Sequence, residues 1–283
     1  MNDSHGRGPA TAGAAPVPSA AGCLPAQLPV VCIATGELYG LGDMYVSRLF
    51  GMLQRHCPVP FRLHCYSDRP RGLPAEVDLR DCSGWEALQA PGMHPTMRKL
   101  GLFNPDFVEF PEFLYLDLSL VIRRDMRDLL EHAFGRPEDL VVVNDWHYPC
   151  YNSSVMRVRR GPLRYVYDGF AAGETHAQRV PGDQDHLHAA IRSRGDEGRV
   201  ACFPAPLVVS YKNAMRVGRR DPARAAHMVD NATIVKFHGA PKMHQAFDPL
   251  YYFFRIRLRD LLNGNLREPF STRALGREWL GEC

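Results

Sequence analysis

One carboxylate, Asp117, stands between two apolar runs and is the first candidate for chemistry. The run before it, residues 112–116, is short, rich in aromatic side chains and preceded by a proline, which predicts a buried strand. A carboxylate at the end of such a strand lies where open α/β sheets bind ligands. The run after it predicts that the chain re-enters the sheet and leaves Asp117 at the lip of a cleft. The alternative is a turn aspartate that accepts backbone N–H bonds.

Two further segments carry polar side chains that suit a sugar. Asn152 and Ser153 open the stretch 151–158, and their hydrogen-bonding groups favour recognition of sugar hydroxyls, although an Asn/Ser turn would use the same residues. Asp183 and Gln184 begin a predicted helix, where the helix dipole favours acidic side chains in the first turn. Capping explains one aspartate at this place more readily than it explains the Asp-Gln-Asp triplet.

The first predicted strand and the helix after it form a unit that could hold a nucleotide. Residues 28–35 are a continuous apolar run, which predicts a central parallel strand, and a glycine-bearing loop separates it from a helix over residues 43–55. Strand, loop and helix in this order bind nucleotide phosphates or bases in many proteins. The glycines do not match the GxGxxG pattern, so a plain turn between strand and helix stays open as an alternative.

The remaining patterns alternate strands with helices and predict an α/β protein. Residues 95–102 predict a helix whose Arg98 and Lys99 either are solvated or reach the cleft below Asp117. Further strands are expected over 61–67, 140–143, 205–211 and 232–237, and further helices over 125–132, 162–170 and 249–262. The last helix is aromatic and basic. Contact with a membrane surface is one interpretation, and packing of a face with Leu250 and Phe254 against the core is the favoured one.

Composition excludes several classes of protein. The chain has 283 residues with 34 basic and 31 acidic side chains, and this near balance gives no reason to expect a nucleic-acid partner. Its eight cysteines are scattered without a CxxC pair, which indicates reduced thiols. Residues 1–27 lack the apolar segment of a signal peptide and predict a disordered leader. No stretch approaches the roughly 20 apolar residues of a membrane span, so we expect a soluble, cytoplasmic protein.

Four segments, taken in order, resemble the glycosyltransferases of the GT-A fold. They are a strand ending Tyr-Leu-Asp at Asp117, the Asn-Ser-Ser-Val-Met stretch from Asn152, the triplet from Asp183, and a late strand ending Phe-His-Gly-Ala-Pro-Lys at Lys242. The likeness is to the family-8-like group of nucleotide-sugar transferases and their uncharacterised bacterial relatives, over about residues 28–245.

The resemblance implies a fold and a division of labour along the chain. It implies one GT-A domain over residues 28–265, with a central mixed, mainly parallel sheet flanked by helices, and a C-terminal tail over 266–283. The N-terminal half of that domain would bind the nucleotide, and the C-terminal half would bind the acceptor. The donor would be a nucleoside-diphosphate sugar.

The resemblance also implies roles for individual residues. Asp117, Asp183 and Gln184 are expected to be catalytic. The residues expected to bind substrate are Thr35, Lys99, Ser119, Asn152, Ser153, Lys236, Gly239 and Lys242. Gly239 and Lys242 match the motif in which backbone and lysine hold the diphosphate, whose negative charge grows as it leaves and is stabilised by fixed cationic groups.

Two departures from the family pattern bear on the metal cofactor. Ser119 stands where the second acid of the DxD motif is expected, and Lys236 where a metal-binding histidine is expected. His238 lies two residues along the same strand, which predicts the same face, and could replace that histidine. Either Asp117 and His238 hold Mn²⁺ or Mg²⁺, or the Lys236 ammonium supplies the charge and no metal is needed. The departures favour a weak or absent metal.

The expected activity is transfer of a sugar from a nucleoside-diphosphate sugar, with a UDP-sugar favoured, to an unknown glycan, lipid or protein acceptor. The altered DxD motif raises a first alternative, a catalytically silent protein that binds a nucleotide sugar or a glycan. A sugar-nucleotide hydrolase or a nucleotidyltransferase is the second alternative, because both handle the same ligand on related folds.

Overall fold

The computed structural model describes residues 24–90, 92–176, 182–262 and 268–282. Most of the expected leader, residues 1–23, lies outside the described residues. The described strands are β1 (Leu28–Ile33), β2 (Phe61–Ser67), β3 (Asp78–Asp81), β4 (Glu112–Leu116), β5 (Leu120–Ile122), β6 (Leu140–Asn144), β7 (Tyr151–Arg159), β8 (Val200–Cys202), β9 (Val208–Ser210) and β10 (Ile234–Lys236).

The helices fall between and after these strands. The described α-helices are α1 (Gly42–His56), α2 (Arg127–Gly135), α3 (Tyr165–Ala171), α4 (Asp183–Arg194), α5 (Tyr211–Gly218), α6 (Pro222–Asp230), α7 (Met243–Ala246), α8 (Pro249–Tyr251), α9 (Leu258–Leu262) and α10 (Thr272–Leu280). The 3₁₀ helices are Leu38–Gly40, Glu86–Leu88, Pro95–Phe103 and Glu197–Arg199, and Tyr252–Arg257 forms a π-helical turn.

The main sheet has seven strands in the order β3-β2-β1-β4-β7-β6-β8. Only β7 runs antiparallel to its neighbours, β4 and β6, whereas the other pairs in this sheet are parallel. The sheet is therefore mixed and mainly parallel, and helices flank it, as the sequence predicted. The carboxyl ends of β1 and β4 meet at one edge, which is where such sheets bind ligands.

Both faces of the main sheet are buried. Successive side chains of a strand point to opposite faces, and in β4 Leu114 and Leu116 join one buried cluster while Phe113 and Tyr115 join the other. Helices α1 and α10 contribute to the first cluster, and α4 contributes to the second. Burial on both faces holds the strand ends in fixed positions, and the polar groups of the site stand on those ends.

The chain does not re-enter the main sheet after Asp117, so that prediction is wrong. Residues Leu120–Ile122 instead form β5 of a second, three-stranded sheet in the order β5-β10-β9. The last bond to the main sheet is from the Asp117 N–H to the Ser154 carbonyl, and the next is from the Phe237 N–H to the Ser119 carbonyl, both at 2.9 Å. Asp117 therefore stands at the junction of the two sheets.

Two predicted elements differ in kind from what was expected. The helix predicted over residues 95–102 is a 3₁₀ helix, Pro95–Phe103. The strand predicted over residues 205–211 is limited to Val208–Ser210, because the Ser210 hydroxyl accepts a bond from the Asn213 N–H at 3.0 Å and so begins helix α5.

The aromatic stretch near the C-terminus does not bury the face that its spacing predicted. Leu250 is 71% exposed and Phe254 is 59% exposed, whereas Ile256 is buried. The π-helical turn Tyr252–Arg257 changes the angular spacing of the side chains, so a face deduced from α-helical spacing is wrong here. Among the described residues, no helix combines the length and the apolar character needed to cross a membrane.

The expected C-terminal tail contains helix α10, which packs on the core. Trp279 is buried, and its ring lies 5.5 Å from that of Tyr45 and 5.4 Å from that of Phe247. Tyr45 belongs to helix α1, next to the first strand. The C-terminal residues thus support the same face of the sheet as the first helix does.

We expect Trp279→Ala to lower the free energy of unfolding by about 3–5 kcal/mol, the range for removing a large buried aromatic side chain. Leu250→Ala is the matched control, because Leu250 is exposed, and its effect should stay within about 0.5 kcal/mol. Urea unfolding followed by circular dichroism measures both variants. Equal unfolding midpoints for Trp279→Ala and the parent protein would show that α10 is not part of the folded core.

Candidate functional site

Asp117 is held between two lysines that come from opposite directions. The Lys236 ammonium, at the end of β10, donates to Asp117 Oδ2 at 2.5 Å and to Ser119 Oγ at 2.6 Å. The Lys99 ammonium, from the 3₁₀ helix Pro95–Phe103, lies 3.0 Å from Asp117 Oδ1. The Tyr115 hydroxyl donates to the same Oδ1 at 2.7 Å. Both carboxylate oxygens therefore already accept bonds from the protein.

Lys99 joins Asp117 to a second carboxylate. Its ammonium lies 3.5 Å from Asp183 Oδ2 and donates to Ser153 Oγ at 3.2 Å. The Ser153 hydroxyl in turn donates to Asp183 Oδ2. Strand β7, the 3₁₀ helix and the first turn of α4 thus meet at one ammonium. Asp117, Lys99, Ser153 and Asp183, all predicted from the sequence as site residues, are brought together.

The pKa values of this cluster follow from burial and from the paired charges. Burial raises the pKa of Asp117, but the Lys236 and Lys99 ammonium groups lower it by more, so it lies well below its usual range. Burial lowers the pKa of Lys99, and the carboxylates of Asp117 and Asp183 more than reverse that effect. For Lys236 burial prevails, and its pKa is lowered although Asp117 favours the charged form.

Asn152 and Gln184 form a second polar pair beside this cluster. The Asn152 amide donates to Gln184 Oε1 at 3.3 Å and to Asp145 Oδ2 at 3.2 Å. The Asn152 amide oxygen accepts from the Ser154 hydroxyl at 2.5 Å. These bonds fix the amide of Asn152, and its neighbour Ser153 carries the cluster around Asp183. The two predicted pairs therefore face each other: Asn152 contacts Gln184, and Ser153 contacts Asp183.

A cleft of about 390 Å³ opens over Asp117 at the carboxyl ends of β1 and β4. Five predicted site residues are among those that line it: Thr35, Lys99, Asp117, Ser119 and Lys242. The cationic side chains of Arg98, Lys99 and Lys242 line the cleft, and Asp117 is the one carboxylate among the described lining residues. Lys236 lies beneath it and is 5% exposed. The cleft is thus suited to an anionic ligand.

The predicted diphosphate loop after β10 has two sides. Phe237 and Lys242 line the cleft over Asp117, whereas His238, Ala240 and Pro241 line a separate cavity of about 220 Å³. Gly239 adopts a φ of +70°, in the left-handed region that favours glycine, and lets the loop turn between the two. His238 lines this separate cavity and not the cleft over Asp117, and its Nδ1 lies 3.4 Å from the hydroxyl of Ser210, the register partner of Lys236.

The residues do not fit the divalent cation that the family resemblance implies. At nucleotide sites such a cation is usually held by one or two carboxylates together with phosphate oxygens and waters, but both oxygens of Asp117 already accept bonds from Lys236, Lys99 and Tyr115. His238, the tentative second ligand, lies in the other cavity, and its Nδ1 is 3.4 Å from Ser210 Oγ. Within the described ranges, no group of three His, Cys, Asp or Glu side chains could hold a metal ion.

Sequence reasoning missed two residues that hold the site together. Tyr115 donates to Asp117, and Asp145 accepts from Asn152. The signal for Tyr115 was available, because it lies two residues before Asp117 and so on the same side of the strand. Asp145 follows the end of β6, where a polar residue after an apolar strand is itself a signal for the ligand edge.

Comparison of the fold with solved structures identifies glycosyltransferases. The glycosyltransferase GlyE of Streptococcus pneumoniae TIGR4 aligns with a TM-score of 0.52 and 16% identity over 91% of this chain, which spans 64% of the GlyE chain. The galactosyltransferase LgtC, solved with donor and acceptor sugar analogs, gives a TM-score of 0.51 and 14% identity over 90% of this chain and 100% of its own.

Mouse xyloside xylosyltransferase 1 is a further structural neighbour, with a TM-score of 0.51 and 14% identity over 76% of this chain and 98% of its own. At these identities the likeness establishes the fold, which is that of the GT-A glycosyltransferases. No family model and no curated protein sequence matches the chain.

We expect the His238 imidazole to titrate with a pKa of about 4. Burial lowers this pKa first, and the charges of Lys236 and Lys212 lower it further. Because the folded value lies below the unfolded value of about 6.5, the unfolded chain binds this proton more tightly. The neutral ring therefore contributes stability that is fully present above about pH 6.5 and is lost as the pH falls toward the folded value.

Imidazole NMR signals, assigned by comparison with His238→Gln, measure this titration. Lys212→Met should move the midpoint toward the usual histidine value, and Arg124→Gln, at an exposed arginine outside the cavity, should leave it unchanged. A midpoint near 6.5 in the parent protein would show that neither burial nor the two lysines act on the ring.

Proposed function

We propose that this protein is a glycosyltransferase of the family-8-like group that uses a nucleoside-diphosphate sugar, with a UDP-sugar favoured. The observation that carries the proposal is the cleft over Asp117, in which cationic side chains and a partly buried carboxylate converge at the ligand edge of a GT-A fold. Lys99, which lines this cleft, contacts Ser153 and Asp183 of the two polar pairs. The likeness to LgtC, which was solved with donor and acceptor sugar analogs, supports a sugar donor and a glycan acceptor.

The charges of the cleft support an anionic donor. Lys236 and Lys99 together balance the negative charges of Asp117 and Asp183, so the cluster as a whole does not repel a diphosphate. Lys242 and Arg98 add positive charge at the cleft wall. In the proposed complex the diphosphate lies near Lys242 and the backbone of Gly239, while the nucleoside extends toward Thr35 at the end of β1.

The proposed reaction exchanges one bond at the anomeric carbon of the sugar. The bond from that carbon to the diphosphate oxygen breaks, and both electrons leave with the nucleoside diphosphate. An acceptor hydroxyl forms the new glycosidic bond, and its proton passes to the departing diphosphate oxygen. Positive groups fixed near the leaving diphosphate stabilise the charge that grows there, and this is the role proposed for Lys99, Lys236 and Lys242.

The polar pairs of β7 and α4 are the proposed contacts of the transferred sugar. Asp183 and Gln184 stand beside Ser153 and Asn152, so hydrogen-bond donors and acceptors alternate along this wall. Asp183 and Gln184 are the groups that we place nearest the reacting carbon. The family likeness supports retention of the anomeric configuration.

We further propose that transfer needs no divalent metal. The Lys236 ammonium lies between Asp117 and Ser119, the two positions that correspond to the acids of the DxD motif. A metal ion would have to displace this ammonium from a carboxylate that it contacts at 2.5 Å. No step of the proposed reaction therefore passes through a metal.

Reduced thiols support the expected cytoplasmic location. Cys32 and Cys65 are register partners on the neighbouring strands β1 and β2, and both are buried and free. Cys57, Cys82 and Cys202 are free as well. Reducing compartments are where such thiols persist.

Release of nucleoside diphosphate from a panel of nucleotide sugars, with and without an acceptor extract, tests the function. We expect acceptor-dependent release and, for Lys242→Ala, UDP binding weakened by about 1.5–3 kcal/mol, the range for hydrogen bonds to charged groups. Arg124→Gln is the control for a lost surface charge. Release without acceptor would instead identify a hydrolase, and binding without release would identify a silent protein.

The same assay after exhaustive EDTA treatment tests the metal proposal. We expect the parent protein to keep its turnover, because the positive charge beside Asp117 is the Lys236 ammonium, which EDTA does not remove. The double variant Ser119→Asp, Lys236→His restores the acid and the histidine of the family pattern, so its turnover should become dependent on Mn²⁺. Loss of parent turnover with EDTA and recovery with Mn²⁺ would contradict the proposal.

A further inference from the structure

A second cavity, of about 220 Å³, lies beside the donor cleft. It opens between helix α5 and the loop after β10, and Lys212, Arg216, Arg219 and His238 are among its lining residues. No carboxylate is among the described residues that line it. Ligand pockets usually measure about 300–1,000 Å³, so this cavity has the size for one charged group rather than for a whole ligand.

The basic side chains of the cavity are exposed, but Arg216 and His238 each contact a neighbouring ring outside the lining. The Arg216 guanidinium contacts the His147 ring nitrogens at 3.2 and 3.3 Å. The Trp146 ring stacks on the His238 ring, with a centroid distance of 5.8 Å and an interplanar angle of 12°. Because His147 and Trp146 are neighbours in the chain, these contacts hold Arg216 and the His238 ring in fixed positions relative to each other.

Lysine is rare in this chain, and one of its few lysines lines the second cavity. Of the 34 basic residues, four are lysine, so the other 30 are arginine. Three of the four lysines, Lys99, Lys236 and Lys242, belong to the donor site. The fourth, Lys212, lines the second cavity, and its ammonium lies 3.8 Å from the point where a side chain on Gly239 would begin. In a chain that otherwise uses arginine, a compact ammonium is kept only at these two sites.

Two routes connect the second cavity with the donor site. The loop over residues 237–242 contributes to both, since Phe237 and Lys242 line the donor cleft and His238 and Pro241 line the second cavity. The other route runs through Asn152, which bonds to Gln184 and to Asp145, the residue next to Trp146. The second cavity is therefore linked, through Trp146 and Asp145, to the proposed sugar contact Asn152.

We propose that the second cavity binds an anionic group, a phosphate or a carboxylate, carried by the acceptor. The inference rests on the proposed function, because it takes the donor to occupy the cleft over Asp117. Lys212 and Arg216 supply the charge, and Arg216 is oriented by His147. An acceptor anchored by its anionic group in this cavity presents a neighbouring hydroxyl to the donor sugar across the loop.

Calorimetric titration with methyl phosphate and with acetate, each in the presence of saturating UDP, tests the site directly. We expect at least one of the two anions to bind while UDP fills the donor cleft. Lys212→Met and Arg216→Gln should each weaken that binding at least fivefold, and Arg124→Gln should leave it unchanged. Equal affinity in Lys212→Met and the parent protein, or displacement of the anion by UDP, would overturn the proposal. Circular dichroism confirms that each variant is folded.

Inhibition of transfer separates an acceptor site from a mere anion site. The anion that binds should inhibit acceptor-dependent release competitively against the acceptor extract and not against the nucleotide sugar. Transfer that is unaffected at concentrations that fill the cavity would overturn the assignment to the acceptor. If the proposed function itself fails, no nucleotide sugar is turned over, yet anion binding should still depend on Lys212 and not on Lys242. The two failures are therefore distinguishable.

Discussion

The ion pair between Lys236 and Asp117 joins the two sheets of this protein. Asp117 directly follows β4 of the main sheet, Lys236 ends β10 of the small sheet, and the two lie 119 residues apart in sequence. Breaking a buried ion pair by removing one partner costs about 3–5 kcal/mol, because the remaining charge stays buried without its counterion. Lys99 offsets part of this cost on the Asp117 side, since it contacts the other carboxylate oxygen at 3.0 Å. The relative position of the sheets and the charge of the cleft therefore depend on the same contact.

This dependence explains why the site is compact. The turn Asp117–Ser119 has to leave one sheet and enter the other, and Lys236 bonds to both ends of that turn. The Ser119 carbonyl accepts a hydrogen bond from the Phe237 N–H, so the residue after Lys236 is also held in place. The loop over residues 238–242 then starts from a fixed position. Some of its side chains line the second cavity, and Lys242 lines the donor cleft. A structural ion pair thus sets the geometry of both proposed binding sites.

Local patterns predicted part of this structure, and contacts distant in sequence determined the rest. The strands at Phe61–Ser67 and Glu112–Leu116 have the predicted bounds, because short apolar runs ended by polar or turn residues define such strands locally. The cluster of Asp117, Asp183 and Ser153 followed from strand ends and from the family likeness. Nothing local indicates that β5 pairs with β10, since a three-residue apolar strand fits either sheet. The separation of His238 from the cleft over Asp117 was equally hidden from local patterns, because it depends on the course of the loop after β10.

A fixed ammonium can replace a bound dication beside Asp117 without changing the local net charge. At about 4 Å and an effective dielectric constant near 20, each unit charge contributes roughly 4 kcal/mol before solvent relaxation. The two positive charges of a dication cancel the charges of two carboxylates. In the same way, the one positive charge of Lys236 cancels the charge of Asp117, because Ser119 is neutral. Exchange of the second acid for serine and of the metal for lysine therefore keeps the local balance. Lys99, which contacts both Asp117 and Asp183, and Lys242 then supply the positive charge that a diphosphate meets, without an ion that must bind before each turnover.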